Sequence, residues 1–126
     1  MKIPFMKAQG AGNDFIIVDK NVDFIRKSKK VIKRLCDRRF GVGCDQLILL
    51  KKISSYYQVT FYNSDGSLGK NCGNGLRCAY KYLVEVKKVK KAVIKTHKFL
   101  HFGKKTQKEY KINVGEVTFD WKKIPL

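Results

Sequence analysis

The segment richest in chemical potential is Asn71-Cys72-Gly73-Asn74-Gly75. It directly precedes Leu76, Ala79, Tyr80, Leu83 and Val84, which fall at i, i+3, i+4, i+7 and i+8. That period predicts a core-facing helix, so the loop delivers Cys72 to the N-terminal end of the helix. Unpaired backbone N–H groups and the positive end of the helix dipole meet there, and both favour an anion. A thiol so placed has its thiolate stabilised. An ordinary cysteine near pKa 8.5 is only about 3% ionised at neutral pH, and each unit of lowering is worth ~1.4 kcal/mol. A drop of about one to two units therefore makes Cys72 a competent base. The flanking glycines let a ligand approach the backbone, and the same amides suit a carboxylate. These residues also fit a second reading, a buried structural thiol beside a glycine-rich turn. His97 and His101 lie far downstream, so a cysteine–histidine nucleophile is not indicated.

The elements that must position this loop follow from the apolar pattern. Residues 3–8 and 15–19 read as short strands separated by a turn-rich loop, Gln9-Gly10-Ala11-Gly12-Asn13-Asp14. Residues 27–40 read as a helix with Val31, Ile32 and Leu35 on one face, ended by Gly41-Val42-Gly43. Strands are expected over 46–50 and 56–62, the second closed by Asn63-Ser64-Asp65-Gly66-Ser67. The striped helix follows, and 92–96, 99–102, 110–114 and 117–119 complete a β-rich second half. The fold class is α+β, a largely β sheet with two helices.

Composition sets the outer limits. The 126 residues suffice for one compact domain, and 44% hydrophobic residues with only two prolines make a globular chain. The apolar stretch 3–6 is broken by Lys7 and is too short for a signal-peptide core, and no apolar run approaches the ~18 residues of a membrane span. The expectation is a cytoplasmic protein with no membrane partner. Cysteines stand at 36, 44, 72 and 78, a spacing unlike the Cys-x2–4-Cys pairs of zinc sites, so no metal is expected. In a reducing compartment free thiols are the default, and Cys36 between Leu35 and Asp37 reads as a small buried hydrophobe. The formal charge of +18 permits a nucleic acid or another polyanion as partner. The lysines are dispersed from Lys2 to Lys123 rather than gathered around exposed aromatics, which favours a solvated lysine-rich surface instead.

Four segments together resemble one family. Gln-Gly-Ala-Gly-Asn-Asp-Phe at 9–15, Asp-Arg-Arg-Phe-Gly-Val-Gly-Cys-Asp-Gln at 37–46, Phe-Tyr-Asn-Ser-Asp-Gly-Ser at 61–67 and Cys-Gly-Asn-Gly-Leu-Arg-Cys at 72–78 are similar to diaminopimelate epimerase motifs. They occur in the family's order and close to its spacing. The similarity is good over residues 1–86, thin over 87–109, and returns from Val114 to Leu126. Cys44 stands where the family usually carries a small residue.

The resemblance implies a single α+β domain with a mixed or antiparallel sheet wrapped around a central helix. It implies that residues 1–114 form the N-terminal epimerase-like domain and that 115–126 begin the inter-domain hinge, with the second domain absent. The family interconverts LL- and meso-diaminopimelate on the route to lysine and peptidoglycan, without pyridoxal phosphate, metal or other cofactor. Two cysteines face opposite sides of the substrate α-carbon, one removing a proton and the other returning one. By motif match Cys72 is the first-domain cysteine, the proton donor, with Gly73 and Asn74 contacting substrate. Asn13, Gln46 and Asn63 match the family's substrate-binding residues, whereas turn formation alone is the other reading of the asparagines. Cys78 matches a structural position. The expected partners are diaminopimelate and either a second copy of the chain or a separately encoded second half. The alternatives are a truncated, inactive remnant and a basic polyanion-binding domain.

Overall fold

The structure is a computed structural model that describes residues 3–19, 25, 28–70, 73–96, 100–105 and 110–112. Its strands are β1 (Met6–Gly10), β2 (Asn13–Val18), β3 (Gln46–Ile53), β4 (Tyr56–Asn63), β5 (Val93–Lys95), β6 (Leu100–Lys105) and β7 (Tyr110–Ile112). Among the described residues the helices of more than one turn are α1 (Lys29–Cys36) and α2 (Gly73–Glu85). The strands form one mixed sheet in sequence order. β1–β2, β3–β4, β5–β6 and β6–β7 pair antiparallel, while β2–β3 and β4–β5 pair parallel. Each parallel pair needs a crossover, and each crossover carries a helix: α1 between β2 and β3, α2 between β4 and β5. Among the described residues the α+β class with a mixed sheet and two helices is therefore the observed one.

Strand alternation divides the core into two layers. Phe15 and Ile17 of β2, Ile48 and Leu50 of β3, and Val59 and Phe61 of β4 point to the same side and meet Leu76, Ala79, Tyr80 and Leu83 of α2. The intervening Ile16, Val18, Leu47 and Leu49 point the other way and meet Ile32 and Cys36 of α1. β2 and β3 are thus covered on both faces, which is why Phe-Ile-Ile-Val and Leu-Ile-Leu-Leu read as unbroken apolar runs. Truncating a fully buried leucine such as Leu83 to alanine costs about 2–5 kcal/mol in such a core.

The sheet curls around α2, which touches β1, β2 and β3 on one side and β7 on the other. Closing that curl brings β6 against the helix. A β-carbon at Gly103 would overlap the Tyr80 ring, so only glycine lets the strand pass at that distance.

Several boundaries differ from the sequence expectation by a few residues, and two of the differences have a visible local cause. The loop over 9–14 shrinks to a two-residue turn, Ala11 and Gly12, both at positive φ (49° and 89°). Such a turn matches the twist of a hairpin, so β1 runs on to Gly10 and β2 starts at Asn13. The helix expected over 27–40 spans Lys29–Cys36 instead. Ser28 caps its start by accepting from the Val31 amide. At its end Asp37 takes an extended conformation, and its carboxylate accepts from the amides of Arg39 and Phe40 at 2.7 and 2.9 Å. That local turn competes successfully with continuation of the helix. The strand expected over 117–119, like the hinge placed at 115–126, lies outside the described residues. Among the described residues no helix is long and apolar enough to cross a membrane.

Candidate functional site

Register carries three of the expected site residues to one place. Gln46 opens β3, paired with Phe15 of β2 on one side and with Asn63 at the end of β4 on the other. Asn13 is two residues before Phe15, Gln46 two before Ile48, and Asn63 two after Phe61. Each therefore points to the α2 face, beyond the last core side chain of its strand. Asn13, Gln46 and Asn63 line a cavity of about 500 Å³ together with Phe15, Asp45, Leu68 and Lys70.

Hydrogen bonds hold the cavity wall. Gln46 Nε2 donates to Asn63 Oδ1 at 3.2 Å, and Asn63 Nδ2 donates to Ser67 Oγ at 3.0 Å. Asn63 also anchors the following turn through its main chain: its amide donates to the Ser67 carbonyl, and its carbonyl accepts from the Gly66 amide, both at 2.9 Å. Asp65 closes that turn by accepting from the Ser67 amide at 2.8 Å and from its hydroxyl. The Ser67 bonds hold the Asp65 carboxyl below the usual carboxylate range.

Gly73 and Asn74 form the first turn of α2, which holds no acidic side chain. Gly75 fixes the distance from helix to sheet, because a β-carbon there would stand 2.5 Å from Phe61 Cε1 and 3.3 Å from Phe15 Cε1. The helix start therefore rests on the aromatic floor from which Asn13 and Asn63 extend. Asn74 itself faces a neighbouring depression shared with Gln9, Gly10, Ala11, Arg77, Cys78 and Lys81, and its Oδ1 accepts from Arg77. It is not gathered with the other three. Cys72 lies outside the described residues, and the residue after it opens α2. Cys78 is partly buried and packs against the α2 layer of the core.

An ion-pair cluster that sequence reasoning did not single out braces the same strand ends. Asp14 Oδ1 accepts from Arg38 Nη2 at 2.7 Å and from the Asp45 amide at 3.0 Å. Its Oδ2 accepts from Arg38 Nη1 at 3.0 Å and from Lys7 Nζ at 2.9 Å. Asp45 answers by accepting from the Asp14 amide and from Arg38, both at 3.0 Å. The Arg38 guanidinium, then Lys7 and the Asp45 amide, hold the Asp14 carboxyl well below the usual carboxylate range, and Asp14 in turn raises Arg38. Asp14 follows Asn13 and Asp45 precedes Gln46, so the cluster ties together the two strands that present those residues. The sequence signal was the presence of Asp14 in the motif at 9–15 and of Arg38 and Asp45 in the motif at 37–46.

Solved structures that share the fold include a phenazine biosynthesis PhzF-family protein of Enterococcus faecalis (TM-score 0.67, 12% identity, 87% of this chain and 43% of that one) and methylitaconate-delta-isomerase (TM-score 0.64, 18% identity, 95% and 38%). Among curated sequences, the chain is similar to diaminopimelate epimerases of Leptospira biflexa (42% identical, 78% of this chain, 36% of the relative) and Rickettsia akari (36%, 94% and 45%). That of Clostridium perfringens is 35% identical over 96% of this chain and 48% of its own length. The chain thus spans less than half the length of these relatives. The profile of the diaminopimelate epimerase family matches residues 5–121, and the chain belongs to that family.

Proposed function

We propose that this chain supplies one wall of a diaminopimelate epimerase site and that a second unit supplies the other. The observation that carries the reading is the convergence of Asn13, Gln46 and Asn63 on one cavity beside the first turn of α2, the helix that Cys72 precedes. Asn13, Gln46 and Asn63 bind the substrate's polar ends, and the backbone amides at Gly73 and Asn74 receive its α-carboxylate. Cys72 exchanges a proton with the α-carbon on the near face. When that proton leaves, its electron pair spreads into the adjacent carboxylate, and donors already aimed at that group stabilise the charge. A second acid–base group on the far face inverts the centre, and it comes from a second domain, a separate polypeptide or another copy of this chain. No cofactor takes part in this scheme. Leu68, 64% exposed at the cavity rim, is the apolar contact on which the covering unit rests. The three described cysteines are free thiols, which suits a reducing cytoplasm.

The test is α-proton exchange. The chain is incubated with LL-diaminopimelate in deuterated water, alone and with a polypeptide carrying the remaining half of a curated relative. Exchange and inversion are scored separately. Cys72→Ala is expected to lower exchange by about 10²–10⁴-fold, the usual contribution of a positioned acid–base group. Exchange no faster than in Cys72→Ala in both arrangements overturns the proposal.

A further inference from the structure

Away from the candidate cavity, the end of α1 and the chain leading into β3 bring two cysteines together. Cys36 is the last residue of α1 and Cys44 lies two residues before β3, and both are at most 3% exposed. The Cys44 thiol donates to Cys36 Sγ at 3.4 Å. The backbone is closed at the same point: the Cys44 amide donates to the Cys36 carbonyl at 3.2 Å and the Gly43 amide to the Leu35 carbonyl at 3.0 Å. Both cysteines line an open groove of about 940 Å³ whose walls include Lys30, Lys33, Arg34 and Arg39.

We propose that Cys36 and Cys44 are a redox-active dithiol that a hydroperoxide converts into a disulfide, stapling the turn over 37–43 to the end of α1. The sulfurs need to approach by little more than 1 Å to reach the ~2.05 Å of a disulfide, and the backbone bonds already hold the two residues side by side. Cys36 is the attacking sulfur. The Cys44 hydrogen bond, and more weakly the charge of Lys7, lower its pKa, while the same bond and burial raise that of Cys44. The Cys36 thiolate attacks one peroxide oxygen, the O–O bond breaks, and the other oxygen leaves as water or alcohol after taking a proton. The resulting sulfenic acid is attacked by the Cys44 sulfur, the S–O bond breaks, and water leaves. Two thiols and one hydroperoxide thus give one disulfide, one water and the water or alcohol from the leaving oxygen. The staple holds the segment that leads into Asp45 and Gln46, and it stands on residues the proposed epimerase chemistry does not use.

The experiment treats the full chain with stoichiometric hydrogen peroxide, traps remaining thiols with an alkylating agent and digests with trypsin without reduction. Cleavage after Arg34, Arg38, Arg39 and Lys51 separates residues 35–38 from 40–51, so only a Cys36–Cys44 bond keeps those peptides together. The linked pair is expected as the main oxidised product, also in a Cys72→Ala chain, and is released by reductant. The unfolding midpoint of the oxidised chain is expected to rise by about 5 °C or more, because a short closed loop restricts the unfolded state. Alkylated Cys36 and Cys44, sulfinic acid at either position without linkage, linkage to Cys72 or Cys78 instead, or an unraised midpoint would each overturn the proposal. Because the mapping uses the unaltered thiol pair, it does not depend on a Cys36 or Cys44 variant folding.

Discussion

Gln46 and Asn63, seventeen positions apart in the sequence, are direct cross-strand partners whose side chains are joined by a hydrogen bond of 3.2 Å at the cavity wall. The bond orients both amides, and Asn63 is tied in addition to Ser67. In the proposed site the two therefore act as one unit. Gln46→Ala and Asn63→Ala are each expected to weaken α-proton exchange by about 10- to 100-fold, and the double variant to lose little more than either single one. The Asn63 main-chain bonds survive the substitution, so the unfolding midpoint should stay within a few degrees. Independent, additive losses would show that the pair does not act jointly.

The curl of the sheet around α2 depends on the contact between Gly103 and Tyr80. Gly103→Ala forces the ring or the strand to move and is expected to cost about 1–3 kcal/mol in urea unfolding. Tyr80→Leu leaves a void where the ring stood and costs stability alone. Combined, the two should cost less than their sum, because the new methyl enters the vacated space. Simple additivity would contradict the packing.

Acid sensitivity is expected from Asp14. Its carboxyl titrates lower in the folded chain than the ~3.9 of an unfolded aspartate. Its contribution is therefore complete above the unfolded value and is lost as pH falls below about 4 toward the folded value. Asp14→Asn is expected to lower stability at neutral pH and to flatten its dependence on pH between about 4 and 2, measured by denaturant unfolding. Asp37, held down by the Phe40 and Arg39 amides, and Asp65, held down by Ser67, keep part of that slope in the variant. An unchanged slope would remove Asp14 from the account.

If the cavity face accepts a covering unit, the chain alone should associate as its concentration rises. Sedimentation velocity on the unmodified chain and on Leu68→Asp tests this, with the variant expected to shift toward monomer. Equal sedimentation of both at all concentrations would separate Leu68 from any such contact.

Much of the fold was legible because its elements are locally consistent. The stripe Leu76, Ala79, Tyr80 and Leu83 is buried as the helical period requires, and the unbroken runs of β2 and β3 reflect burial on both faces. The misjudged boundaries share one cause, competition between short-range bonds. Positive φ at Ala11 and Gly12 turned an expected loop into a hairpin, and the Asp37 carboxylate stopped a helix whose apolar pattern ran on.

The sequence by itself determined the family, through four motifs in order, and the type of nearly every element, because period and turn chemistry are properties of neighbouring residues. Tertiary structure alone decided that Asn13, Gln46 and Asn63 share one face, that Arg38 joins Asp14 to Asp45, and that the Cys44 thiol reaches Cys36. The physical reason is strand register. A shift of one residue turns every side chain to the opposite face, so which distant residues meet is set by the pairing of whole strands and by the helices packed on them.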